Sequence, residues 1–132
     1  MNTGLDDARV AALEAKLKNR LTALLEEVRQ GLARSNDERY RALAGEVHDL
    51  EDESVADLLV DVNLAEIDRD IDEIRQIEAA LLRIRGRTFG LCVDCGSSIE
   101  YQRLEAQPMA ARCRDCQEHY EKTHRDHRHD TL

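Results

Sequence analysis

The residues best placed to do chemistry are four cysteines, which stand as two close pairs, Cys92-x-x-Cys95 and Cys113-x-x-Cys116. Each C-x-x-C turn is tight enough to aim two thiolates at one point, and the stretch 96–112 lets the second turn swing round to face the first. Zn²⁺ takes four such soft ligands in a tetrahedron. No other cysteine is present, so none is left over. Paired disulfides would need an oxidising compartment, and a redox C-x-x-C would sit beside a βαβ pattern that this sequence lacks. The residues 1–7 have neither the basic start nor the apolar run of a signal peptide. No stretch is long and apolar enough to span a bilayer. The expected setting is the cytoplasm, and the expected cofactor is one structural Zn²⁺ on Cys92, Cys95, Cys113 and Cys116. A segment with the chain's one Phe and no Trp has little core of its own, so the metal is expected to supply much of its folding energy.

Other chemistry is sparse. There is no Ser-His-Asp order, no Gly-rich phosphate loop and no metal set with an open position, so no enzymatic activity is expected. His124, His127 and His129 fall in a terminal stretch of alternating Arg and Asp, read as a solvated tail over 123–132.

Charged residues make up 36% of the chain and aromatics 3%, with one proline, Pro108. That is the profile of long exposed helices rather than of a deep globular core. The net charge of −9 opposes nonspecific DNA binding, which needs basic surface to displace counterions. The acidic excess is concentrated between Glu46 and Glu73. There Val55, Leu58, Leu59, Val62, Leu64, Ile67 and Ile71 interrupt it, which predicts an ordered acidic helix rather than a tail.

Helical spacing dominates the first two thirds. Val10, Leu13, Leu17, Leu21, Leu24, Val28 and Leu32 recur at three- and four-residue steps and predict a helix from about Leu5 to about Arg34. Ser35-Asn36-Asp37-Glu38 resembles a capping box and marks a break or a kink. Tyr40, Leu43 and Val47 resume the spacing, which carries the helix to about Gly45 or Val47. The rhythm stops over 48–53. Ser54 is a candidate N-cap for a second helix through Val60, Leu64, Ile67, Ile71, Ile74, Ile77, Leu81 and Ile84. Gly86 ends it, giving a rod of roughly 48 Å at 1.5 Å per residue. Two such helices with a short connection pack antiparallel. The expected fold is mainly α: a long antiparallel two-helix coiled-coil hairpin over 1–86, with an acidic tip near 48–54. A small four-cysteine zinc finger with a short helical piece follows over 87–122, then the tail. Parallel dimerisation is the competing use of the stripes, and a monomer is expected.

The finger reads Phe89-Gly90-x-Cys92-x-x-Cys95-Gly96-x-x-Ile99-x-x-x-Arg103-Leu104-x-Ala106-x-Pro108-x-Ala110-x-x-Cys113-x-x-Cys116-Gln117. It resembles the zinc finger of the DksA/TraR family of bacterial RNA polymerase-binding regulators, at many positions beyond the cysteines. The hairpin suits the family's larger members. The resemblance implies a transcription regulator that enters the secondary channel of RNA polymerase and contacts no promoter sequence. It also implies an Asp-x-x-Asp-x-Ala tip. Counting back from Cys92 puts Asp49 and Asp52 on the two aspartates and Ser54 in place of the alanine. Arg69 matches a basic residue that faces the polymerase. Members that respond to ppGpp use basic residues where this chain has Gln76, Gln107 and Gln117. Glutamine cannot supply the charge that pairs with pyrophosphate, so weak ppGpp binding is expected. The alternative is a zinc-ribbon DNA-binding protein reading with Arg87, Arg103, Arg112 and Arg114.

Overall fold

The computed structural model describes residues 5–49 and 54–130, with side chains at 5–47 and 54–124. Helix α1, Asp7–Ala33, starts where the Asp6 carboxylate accepts the Arg9 amide at 2.8 Å. Its 27 residues span about 40 Å. The predicted stripe is its buried face, with Leu13, Leu17, Leu24, Val28 and Leu32 all at 1% exposure or less.

The opposing limb, named α4 here for its place in the chain, covers Asp68–Arg85. Asp68 and Asp70 in its first turn and Arg83 and Arg85 in its last suit the helix dipole. Ile71, Ile74, Ile77 and Ala80 form its buried face. Three contacts fix α4 antiparallel to α1. The Arg20 guanidinium grips the Glu73 carboxylate with two bonds, at 2.8 and 3.0 Å. Arg34 pairs with Glu66, and Gly31 faces Ile67 just ahead of α4. The long antiparallel helix pair with a finger at its base is therefore present.

The connection between the limbs is longer than expected. The Ser35–Glu38 stretch, read as a break or a kink, is a reversal. The Ser35 hydroxyl accepts the Asp37 amide at 3.0 Å, and the Asp37 carboxylate accepts the Arg39 amide at 2.9 Å. These side chains compete with the helix for backbone donors. Helix α2, Glu38–Asp49, then packs against α1. Near its start the Tyr40 hydroxyl accepts the Asn63 amide at 3.2 Å. Past its end Ser54 meets Glu78 of α4. The chain thus runs from the level of Asn63 to that of Glu78 between Tyr40 and Ser54, parallel to α4 and antiparallel to α1. A single turn, α3 (Val55–Leu58), follows. A 3₁₀ turn, Ala65–Ile67, leads into α4.

The predicted second helix from Ser54 to Ile84 is consequently split into α3, the 3₁₀ turn and α4; residues 34–37 and 64–67 lie at one end of the α1/α4 pair, and residues 50–53 of the expected tip lie outside the described residues. The sequence Asp61-Val62-Asn63 explains the split, since β-branched, Asn and Asp residues are poor helix formers. Leu59 takes the core position there, at 1% exposure, and Val60 is left outside at 67%.

The finger follows Gly86 and packs on the base of the pair. Helix α5 covers Tyr101–Ala106 and α6 covers Arg114–Asp130. Beyond Lys122, where a solvated tail was expected, α6 continues. No Gly or Pro follows Cys113 to stop it.

Gly31 gives a test of the helix contact. Replacing an interior helix glycine with alanine ordinarily stabilises by about 1 kcal/mol. Here a Cβ would overlap the Ile67 γ-methyl, and Ile67 is itself buried. Gly31→Ala should therefore lower the urea midpoint, by about 1–2 kcal/mol of stability as for other overpacked sites. A raised midpoint would show that the helices separate freely.

A second test concerns charge between the limbs. Burial, and then a hydrogen bond with Glu27, raise the Asp70 pKa, whereas Arg20 holds that of Glu73 down. Stability linked to the Asp70 proton is complete below the ordinary Asp range and is lost as pH rises through the raised value. Asp70→Asn should therefore raise the melting temperature at neutral pH. The gain should vanish below about pH 3.9. An equal effect at both pH values would refute the charge assignment.

Candidate metal centre

Backbone geometry brings the four sulfurs together. After α4 the amides of Thr88 and Phe89 both bond the Arg83 carbonyl, at 3.0 and 3.2 Å, which turns the chain out of the helix. A short antiparallel bridge joins Leu91 to Ser98. Across it the Cys92 amide donates to the Ser97 carbonyl and the Ile99 amide to Gly90, both at 2.8 Å. Gly96 closes the first knuckle with φ +76°, a conformation that disfavours any side chain. Its amide reaches the Cys92 carbonyl at 3.0 Å. The second pair uses a helix start instead. The Gln117 amide bonds the Cys113 carbonyl at 2.9 Å, so Cys116 sits in the first turn of α6. The Val93 amide bonds Ala111 at 2.9 Å and ties the two knuckles.

All four Sγ atoms lie within 4.8 Å of one another, and those of Cys95 and Cys113 are 3.8 Å apart. Zinc–sulfur bonds of about 2.3 Å in a tetrahedron require sulfurs about 3.8 Å apart. At this spacing the thiols act on one another's protonation. Burial pushes Cys92 up, but hydrogen bonds from the Cys95, Cys113 and Asp94 backbone outweigh it and hold the thiol at about 6. Ser97 lowers Cys95. Cys116 is pushed far up by the neighbouring Cys113, Cys92 and Cys95 sulfurs. Four thiolates cannot share this point without a cation among them. The cluster is the ligand set of one structural zinc.

Arginines stitch the module together. Arg112 donates to the Asp94 carboxylate at 2.7 Å and stacks 3.9 Å over the Tyr120 ring. Arg103 donates to the Arg112 carbonyl at 3.0 Å. Three cations dock it on the helix pair. Arg83 reaches the Met109 and Ala110 carbonyls at 3.4 and 3.5 Å, Lys16 reaches Glu105 at 3.4 Å, and Arg9 lies 4.4 Å over Tyr101. Phe89, Ile99, Leu104 and Ala110 fill a small core.

The expected partner-binding residues are described only in part. Asp49 is the last residue of α2; its side chain and all of Asp52 lie outside the described residues. Ser54 is an N-cap as predicted, accepting the Asp57 amide at 3.3 Å, but of the one-turn α3. Its hydroxyl also donates to the Glu78 carboxylate at 2.9 Å. Arg69 is exposed in the first turn of α4, about 13 Å along the helix from Glu78. It lines a shallow groove with Asp72, Glu73, Gln76 and Met109. Gln107 ends α5, and Gln117 donates to Glu121 at 3.1 Å. Sequence reasoning missed Glu78, which looks like any acid on an outer helix face.

Removal of the metal tests the centre. The native protein should carry one zinc per chain. A strong chelator or Cys92→Ser should melt 87–122 while α1 and α4 keep their helical signal. Measured by metal analysis and residue-resolved NMR, unchanged Leu91 and Ile99 amides after zinc loss would remove the metal from the folding of this module.

Residues 87–122 match the prokaryotic dksA/traR C4-type zinc finger. The RNA polymerase-binding transcription factor DksA of Escherichia coli K12 is 30% identical over 112 residues, covering 85% of this chain and 71% of that protein. General stress protein 16O of Bacillus subtilis is 38% identical over 56 residues, 42% of this chain and 33% of its own length. The solution structure of the DnaK suppressor protein from Agrobacterium tumefaciens C58 superposes with TM-score 0.55 at 33% identity, covering 81% of this chain and 89% of that one. Transcription factor DksA2 from Pseudomonas aeruginosa shares the fold, with TM-score 0.58 at 22% identity and coverage of 91% and 88%. With its four-cysteine centre at the foot of an antiparallel helix pair and this extent of likeness, the chain belongs to the DksA/TraR family.

Proposed function

We propose that this protein binds RNA polymerase through the secondary channel and regulates transcription without reading promoter sequence. The observation that carries the reading is the likeness to a polymerase-binding factor over most of the chain, finger and helix pair together. The physical case agrees. A helical body in which α1 spans about 40 Å, with a metal-clamped base, is elongated and stiff as a deep channel requires. Asp49 and Asp52, with Ser54 beside them, are the contacts assigned to the neighbourhood of the polymerase catalytic centre. Their oxygens suit the electrostatics of a Mg²⁺ site. Arg69, exposed on α4, is assigned to docking on the polymerase surface. The tip acts by biasing promoter complexes between states it binds unequally. The protein works in the cytoplasm as a monomer and is not an enzyme. The net charge of −9 weighs against DNA as its partner. The uncharged Gln76, Gln107 and Gln117 leave ppGpp binding weak or absent at the site those positions would form.

Binding and effect separate in the test. Core polymerase should be retained by the purified protein, and Arg69→Ala should weaken retention. Asp49→Asn with Asp52→Asn should leave retention largely intact and abolish the effect on transcription from a ribosomal promoter. Full activity of that double variant would remove both aspartates from the mechanism. A response that requires ppGpp would refute the reading of the three glutamines.

A further inference from the structure

The segment 109–112, which leads into the second cysteine pair, belongs to no helix or strand, yet every one of its carbonyls is taken. The Arg83 guanidinium reaches those of Met109 and Ala110 at 3.4 and 3.5 Å. The Val93 amide reaches that of Ala111 at 2.9 Å, and the Arg103 side chain that of Arg112 at 3.0 Å. The donors come from α4, from the first knuckle and from α5. Arg112 then turns back across the centre. Its guanidinium donates to Asp94, which lies between the first two cysteines, at 2.7 Å, and stacks on Tyr120 of α6. One side chain, next to Cys113 in the chain, therefore touches both the first knuckle and the helix that carries Cys116.

The charges of these arginines do not balance among themselves. Arg112 has Asp94. Arg83 and Arg103 are both half-buried, and among the described residues neither has a carboxylate within ion-pair distance. Both bond carbonyls only. Burial, and then the nearby charge of Arg112, push the Arg83 pKa down. Cations partly withdrawn from water cost free energy unless negative charge compensates them. The metal centre has that charge to give, since four thiolates on one divalent ion leave a dianion. Two uncompensated guanidiniums gather on the segment that enters Cys113, one from the finger and one from the helix pair.

We propose that Arg83, Arg103 and Arg112 form a cationic collar that positions the Cys113 turn against the first knuckle, offsets the charge of the zinc-loaded centre and so sets how tightly the metal is held. Arg112 supplies the geometry, because it spans both knuckles and α6. Arg83 and Arg103 supply the compensating charge. Outer groups of this kind fix the orientation and basicity of metal ligands. Arg83 stands on α4, outside the finger, so the helix pair is itself part of what retains the ion. The coupling is reciprocal: if α4 strengthens metal binding, metal binding strengthens the docking of the finger on α4 by the same factor.

The zinc-loaded full chain is tested alone, without polymerase, by competition with a chromophoric chelator. Arg83→Met keeps the length of the side chain and removes its charge, and it should weaken zinc about tenfold, the scale of lost support around a metal ligand. Arg112→Met should weaken it at least as much. Arg83→Lys restores the charge and should recover most of the loss. Ile99→Val loosens the finger core without touching the collar and serves as the control, with the melting temperature of each loaded protein measured beside its affinity. Zinc held as tightly by Arg83→Met as by the native chain would overturn the proposal. So would a lysine variant as weak as the methionine one, or a loss in the control that matches Arg83→Met at equal melting temperature. Should Arg112→Met fail to fold, the Arg83 pair decides the matter by itself, since α4 forms outside the finger.

Discussion

The apolar face of α1 has to be covered along its whole length, and no single partner helix is long enough to do it. Its buried residues run from Leu13 to Leu32 over 27 helical residues, while α4 has 18. Three elements share the work. The Ile71, Ile74 and Ile77 face of α4 lies along one side, α2 folds back along another, and the finger closes over the base. Each polar contact between helices sits at the margin of that shared core, as with Arg20–Glu73 and Arg34–Glu66. Exposed pairs of this kind contribute little stability. They set register and direction, while the buried Leu, Val and Ile side chains contribute on the order of 1.5–3 kcal/mol each.

The base of the molecule obeys a different constraint. Residues 87–122 have too few large apolar side chains to fold on burial alone. Four sulfurs brought to one point carry the fold instead, and they repel one another unless a cation neutralises them. The opposite shifts of Cys92 and Cys116 express that conflict. Because Arg83, Lys16 and Arg9 bond finger carbonyls and a finger ring, the metal also fixes how the helix pair is mounted. Centre and rod are one mechanical unit.

Residues 50–53 of the acidic segment lie outside the described residues, between the end of α2 at Asp49 and the Ser54 cap of α3. The far end of the pair carries Arg34, Asp37 and Glu66 in this arrangement.

Much of this was legible in the chain. Spacing alone marked the four ligands, because C-x-x-C turns are local and their chemistry is the same in any fold. The α1 stripe and the Ile-rich α4 stripe were legible for the same reason, since a helix face is written at three- and four-residue steps. The finger pattern from Phe89 to Gln117 pointed to the family. What the sequence left open was everything set by competition between distant groups. Ser35-Asn36-Asp37 permits both a kink and a reversal, and the free apolar side of α1 selects the reversal. Leu59 and Val60 are equally apolar, and only the turn in which the Val62 amide bonds the Leu59 carbonyl decides which is buried. Glu78 caps α3 because folding brings the Ser54 hydroxyl and the Val55 and Ala56 amides to it. Ligand identity is a local property and is fixed by residue type and spacing. The path of the connection is a nonlocal one, and only tertiary packing decides it.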